Sequence, residues 1–401
     1  MRISVRRAGA VAGLLALAAV TALGGAATAA PSKSKSPSRA MADAAHGASG
    51  GGGELKIVAE GLDNPRGIGF GPDGALYVAE SGSGGAGPCV EGGPEGGRTC
   101  FGRTGAVTRI AKRGQHRVLT GLPSLAEEGG VAATGPVDLG FSGWTGYLLL
   151  GNFGGPTERA AFGPGARRLG NLLKVNLHGI RSVADFARFE AANDPDEGAG
   201  AGGGEPGINS NPNGLLVRKH SQVVADAGGN DLLKVGHKGR ISVVAVFPPR
   251  VVPAPPGIPD LPPEIPMQAV PTSVVKGPDG AYYVGQLTGF PFPPGGAKVF
   301  RVVPGKAPKV YAGGFTNIID IAFDKMGRLY VLEIATGGLL NTPEGELPVG
   351  RLVRVNRDGS RTTLASEGLA APGGFVLGRR HAYITNNSIL PDAGQVVKVA
   401  I

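Results

Sequence analysis

Histidine, cysteine and aromatic side chains are scarce in this 401-residue chain, which has 6 His, 2 Cys, 1 Trp and 5% aromatic residues in all. Charge is also sparse, at 18%, although apolar residues reach 41%, enough for a sizeable core. Global disorder is therefore excluded. Beyond the first residues no apolar run is long enough to cross a bilayer. The Gly-rich run 200–204 lacks the Lys-Ser/Thr pair and the strand–helix setting of a phosphate loop. No nucleophile elbow occurs. The basic residues are scattered without interleaved aromatics, so a nucleic-acid partner is not expected.

What the chain has in excess is Gly (71) and Pro (33), a composition of turns rather than of long helices. Its start has the three-part plan of a secretory signal. Arg2, Arg6 and Arg7 precede the apolar stretch Ala8–Val20, and the small-residue site Ala27-Thr28-Ala29 follows. Residues 1–30 are read as a signal peptide and 31–53 as a Ser/Pro/Gly linker. No strong apolar pair follows Arg6-Arg7, so Sec rather than twin-arginine export is expected. Of the formal charge of +9, residues 1–53 hold +5 and the body +4. The expected mature protein is secreted, monomeric and free of a membrane span. Cys89 and Cys100 lie eleven apart in a Gly-rich insert. In an exported protein that spacing reads as a loop-stapling disulfide; a metal pair is the alternative, with no His nearby to support it.

The body, 54–401, is repetitive. A Pro or Asn opening, an apolar strand, a Gly/Asp turn and a second strand with a polar end recur six times. Asn64 to Glu80, Gly135 to Asn152, Asn211 to Asp226, Pro271 to Gln286, Asn317 to Glu333 and Pro372 to Asn386 are the copies. Pro72-Asp73-Gly74 and Pro278-Asp279-Gly280 supply the fixed and the positive φ of a tight turn. A second hairpin follows each copy. The sixth lacks its fourth strand, and Leu55 to Leu62 has the missing pattern. The expectation is an all-β, six-bladed β-propeller whose N-terminal strand closes the last blade and leaves no open edge.

Antiparallel order then sorts the loops. Short turns share one face; the long loops 81–104, 153–170, 287–297 and 334–350 and the connectors 186–209 and 247–269 share the other. The Pro-rich connector 247–269 is expected to be extended polyproline. Phe290-Pro291-Phe292-Pro293 reads either as a contact surface or as loop stiffening. Glu80, Asn152, Asp226, Gln286, Glu333 and Asn386 end the second strands on the long-loop face and, with Asn64, Asn211 and Asn317, form a candidate polar ring. Asp138 and Asp320 occupy matching positions of opposite blades. Such oxygens suit Ca²⁺, with Glu80, Asp226 and Glu333 as candidate ligands; alternatively they satisfy backbone N–H groups. The five histidines of the body fall by the short turns, so no His general base is expected at the mouth.

Asn64-Pro65-Arg66-Gly67-Ile68 running into Gly71-Pro72-Asp73-Gly74, the Cys89/Cys100 loop with Gly102-Arg103-Thr104-Gly105, and Gly151-Asn152-Phe153-Gly154 resemble the ScyD/ScyE family. The resemblance covers about Leu55 to Ile401. It implies an exported NHL-like propeller and brings no catalytic residues with it. Two functions are carried forward. One is an extracellular binding or accessory protein, for a small molecule or a protein partner, that uses the long-loop face. The other is a Ca²⁺-dependent, lactonase-like propeller enzyme.

Overall fold

The computed structural model describes residues 53–91, 97–199, 207–356 and 358–401. The signal segment and all of the linker but Gly53 lie outside them. Six antiparallel sheets are arranged as a six-bladed propeller. The closing strand is β1 (Lys56–Leu62). Blade one holds β2 (Pro65–Phe70), β3 (Leu76–Glu80), the short β4 (Cys89–Val90), β5 (Thr99–Ala111) and β6 (Gly114–Glu127). Blade two holds β7 (Pro136–Ser142), β8 (Thr145–Leu150), β9 (Asn171–Asn176) and β10 (Gly179–Asp185), with α1 (Pro156–Ala161) in its long loop. Helix α2 (Phe186–Asn193) leads to blade three, β11 (Pro212–Val217), β12 (Gln222–Asp226), β13 (Asp231–Val235) and β14 (Ile241–Val246). A hairpin, β15 (Arg250–Pro253) with β16 (Glu264–Met267), precedes blade four, β17 (Pro271–Lys276), β18 (Tyr282–Gln286), β19 (Ala297–Val302) and β20 (Lys309–Phe315). Blade five is β21 (Ile318–Phe323), β22 (Leu329–Glu333), β23 (Arg351–Val355) and β24 (Arg361–Ala365). Blade six is β25 (Gly374–Leu377), β26 (His381–Asn386) and β27 (Gly394–Ala400), completed by β1.

Turn chemistry builds the first hairpins. Gly74 and Gly280 sit at φ +75° and +83°, and Asp73 and Asp279 accept the backbone N–H of Ala75 and Ala281. The same aspartates pair with Arg109 and Arg301 on the third strands. Ahead of each turn a side chain is forbidden: a Cβ on Gly71 or Gly277 would lie 2.3 or 2.1 Å from the ring of Tyr77 or Tyr283. The repeated phrase thus encodes a turn, an ion pair and a ring packed over bare backbone.

The ring closes as its repeat pattern predicts. β1 pairs antiparallel with β27, Lys56 opposite Lys398 and Leu62 opposite Gly394. The first strands of neighbouring blades touch all the way round, β2 also meeting β25. Buried apolar residues fill the wedges between blades. The largest cluster joins blades five and six through Tyr330, Leu332, Phe375 and Val397.

Two loops differ from the sequence reading, and a third takes one of the two readings given to it. The Pro-rich connector is a paired hairpin: Val252 faces Ile265, and Val251 faces Pro266. Proline is tolerated there because the two strands form a free-standing pair with edges open on both sides. The third and fourth strands of blade one run on past the blade as an arm, pairing from Ala111–Gly114 out to Thr99–Glu127. Cys89 and Cys100 lie opposite one another at the arm and form a disulfide. Beneath it Phe101 and Leu125 pack on Phe162 and Leu169 of the blade-two loop. Phe292 is 3% exposed and belongs to the large core, so the aromatic-Pro loop packs inward. Trp144, by contrast, stands 79% exposed on the short β7–β8 turn.

Leu62 is buried in the seam between blades six and one, and Thr385 Oγ1 donates to the Arg66 carbonyl across it at 2.7 Å. Leu62→Ala is expected to cost about 2–5 kcal/mol and Thr385→Val about 1 kcal/mol in urea unfolding. Unchanged midpoints for both would show that the seam does not hold the ring.

Candidate functional site

A channel of about 320 Å³ runs along the ring axis, lined by the first strands of all six blades. Each first strand leaves the long-loop face and runs toward the short turns. Its early residues therefore sit at the long-loop end, and these are polar: Arg66, Asp138, Asn213, Thr272, Ser273 and Asp320. Deeper in, Val275, Phe323 and Leu377 make the wall apolar.

Asp138 and Asp320 are brought to face each other here from opposite blades. Each follows a bulge at the start of its strand, between Pro136 and Asp138 and between Ile318 and Asp320. One oxygen of each accepts the next backbone N–H, from Leu139 at 2.7 Å and Ile321 at 2.8 Å. The other reaches the following blade, accepting from Leu215 N at 2.7 Å and Phe375 N at 2.9 Å. Burial and then the negative charge of Asp320 push the Asp138 carboxyl up to about 8. Burial pushes Asp320 up to about 7, against the pull of its two N–H donors. Two such groups titrate as a pair. The channel therefore holds two buried carboxyls of raised proton affinity, each anchored by backbone N–H groups.

The strand-end residues do other work. Glu80 accepts from Asp63 N, from the Thr108 hydroxyl and twice from Arg117. Glu333 accepts from Thr316 N at 2.6 Å and pairs with Arg351. One oxygen of Asp226 takes the N–H groups of Asn211, Gly228 and Gly229, and the other takes the Ser210 hydroxyl. Asn152 donates to the carbonyls of Gly154 and Ser210, while Asn386 donates to Gly368 and accepts from Ala370 N. Gln286 is buried beside them, 2% exposed. Asn64 and Asn317, both at positive φ, tie long loops to their blades in the same way. None of these six strand ends lines the channel. Glu80, Asp226 and Glu333 belong to three different blades, each engaged within its own, and they do not converge.

Acidic oxygens do converge elsewhere. Among the described residues, Glu190, Asp194 and Asp196 bring theirs within 4.8 Å of one another, in the connector between blades two and three. That makes Ca²⁺ binding chemically feasible off the axis. The sequence reading passed over these three because they lie inside a connector. Their signal was available, as Glu190 and Asp194-Pro195-Asp196 end an amphipathic helix within seven residues.

No family model matches the chain, and comparison with curated proteins finds no match. Solved structures share the fold. A glucose dehydrogenase superposes with a TM-score of 0.50 at 13% identity, over 87% of this chain and 99% of its own. A putative gluconolactonase gives 0.46 at 10% identity, over 87% and 92%. Virginiamycin B lyase from Staphylococcus aureus gives 0.45 at 10% identity, over 87% and 99%. At these identities the likeness is one of architecture. Among the described residues no helix is long and apolar enough to cross a membrane.

A carboxyl raised in the fold binds its proton more tightly there than in the unfolded chain. Its contribution to stability is thus intact below about pH 4 and lost as pH rises through the raised values of the pair. Asp320→Asn loses a backbone acceptor and should be less stable at low pH. Its loss of stability between about pH 5 and about pH 8 should nevertheless be smaller than that of the native chain, by on the order of 1–2 kcal/mol. Urea unfolding at both pH values measures this, and parallel slopes would contradict the pairing.

Proposed function

We propose that this chain is an exported, monomeric accessory propeller of the ScyD/ScyE type that binds a small molecule on its long-loop face. The polar end of the axial channel is the pocket. Residues 1–30 serve as the signal peptide and 31–53 as a tether between the signal and the ring. The reading is carried by one observation, the paired carboxyls of Asp138 and Asp320 held at the polar end of a channel with an apolar floor. A concave, preformed cavity with a few convergent polar groups is the usual form of a ligand site. Two carboxyls facing one polar channel end suit a ligand with hydroxyl or amine groups at one end and an apolar body at the other.

The disulfide and the lack of a membrane-spanning helix among the described residues accord with export. The long-loop face is held rigid by its strand-end polar groups, by the disulfide and by the arm packed on Phe162, which favours recognition with little ordering cost. The calcium-dependent, lactonase-like alternative on Glu80, Asp226 and Glu333 has weaker support. Glu80 and Glu333 would have to leave Arg117 and Arg351 to reach an ion.

Expressed from its own signal in a bacterial host, the chain should appear outside the cytoplasm with a new N-terminus near residue 30. Thermal-shift screening of amphiphilic amines and polyols should give hits that Asp138→Asn/Asp320→Asn removes. Hits that survive the double substitution would move the site away from the channel. Turnover of a lactone lost in Glu80→Gln or Glu333→Gln would favour the enzyme instead.

A further inference from the structure

Outside the channel, the least compensated charge in the described residues lies where α2 meets the β12–β13 turn of blade three. Glu190, in the last turn of α2, is 1% exposed, and Asp231, the first residue of β13, is 0% exposed. Neither carboxylate has a hydrogen-bond partner on either oxygen, and Asp196 leaves one buried oxygen without a donor. Asp196 receives Asn230 Nδ2 on its other oxygen, and Asp194 receives Gly198 N at 2.7 Å. Among the described residues no Lys, Arg or His forms an ion pair with any of these four acids. The arrangement differs from that of the neighbouring Asp226, whose oxygens are filled by backbone N–H groups and a hydroxyl.

The backbone is shaped to bring the acids in. A Cβ on Gly229 would lie 3.1 Å from a Glu190 oxygen, and one on Gly228 would lie 2.7 Å from Asn211 N. The turn of blade three is therefore bare where the helix carboxylate approaches it. Burial first, then the charges of Asp226, Asp196 and Asp194, push Glu190 up to about 8. Burial, then the charges of Asp226, Glu190 and Asp196, raise Asp231 well above the usual carboxylate range. Buried carboxylates without donors are stable only when neutralised or bound to a cation.

We propose that Glu190, Asp194, Asp196 and Asp231 form a Ca²⁺ site that clamps the blade-two-to-three connector onto blade three. The donors are all hard oxygens, clustered within 4.8 Å for three of them, and calcium takes six to eight such ligands at irregular geometry. The compact loop after α2 and the turn before β13 supply acids from both sides of one seam. This site stands apart from the axial pocket and does not depend on it.

The test uses the full secreted chain, stripped with chelator and titrated with CaCl₂. Isothermal calorimetry should give one ion per chain, elemental analysis should find calcium, and the melting midpoint should climb with the logarithm of calcium concentration. Glu190→Gln/Asp231→Asn should abolish both heat and shift, while its calcium-free form melts no lower than the calcium-free native chain, because repelling charges have gone. The milder Asp194→Asn should weaken binding at least tenfold and keeps the test open should the double variant misfold. Asp138→Asn/Asp320→Asn separates the two sites: a calcium response that persists there supports the seam, and one that vanishes overturns it. A native chain without bound metal, heat or shift would overturn the proposal, as would a response to magnesium or manganese alone.

Discussion

Six blades can crowd one axis only if each is tied to the next, and here a side-chain hydrogen bond does so at every junction. Ser81 donates to the Pro136 carbonyl, Asp138 accepts from Leu215, and Asn213 donates to Thr272. Thr272 donates to Ile318, Asp320 accepts from Phe375, and Thr385 donates to Arg66, which returns to the first blade. The crowding also explains the glycines beside them. A Cβ on Gly67 would stand 2.4 Å from an Asp138 oxygen, and one on Gly214 would stand 2.6 Å from the Ser273 backbone. The residue at that level is glycine in three blades, Ser273 in blade four, and in the other two the aspartate that makes the tie. Asp138 and Asp320, like Asn213 and Thr272, are ties that also line the channel, so architecture and candidate chemistry share the same atoms.

The hairpins and their Asp-Gly turns were legible because they depend on neighbours in sequence, and the closing strand because the sixth repeat lacks a strand whose pattern Leu55 to Leu62 carries. Alternation places the apolar face, and Pro-Asp-Gly places the turn. The face assignment of the loops followed from strand order alone. Contacts between distant segments were less legible. Nothing in the Pro-rich connector announces that Val252 will find Ile265, and nothing in the blade-one repeat announces that its outer hairpin will run on to Glu127. The strand-end acids and amides were found, but a strand-end carboxylate that binds an ion and one that caps a backbone look alike until the partners are seen. Asp226 shows this: it was picked out, yet the unsatisfied acids are its neighbours Glu190 and Asp231.

The two acidic clusters illustrate opposite ways of burying charge. At the axis, backbone N–H groups from two blades meet the oxygens of each aspartate, and burial raises the proton affinity of both. At the connector, donors are withheld from Glu190 and Asp231 altogether. Low dielectric makes the second arrangement costly for the bare chain and favourable for a cation. The elaborated face thus has two differently prepared acidic positions, one facing the channel and one between α2 and blade three.

Because β1 lies against β27, the first and last strands of the ring are neighbours in space though more than three hundred residues apart in sequence. Contacts of that separation form late, since the whole intervening chain must be ordered before they are rewarded. A chain delivered N-terminus first must hold Lys56–Leu62 unpaired until the final hairpin arrives. Until then the last blade keeps a bare edge, which makes the order of emergence, rather than the finished contacts, the interval in which this protein is open to pairing with another copy of itself.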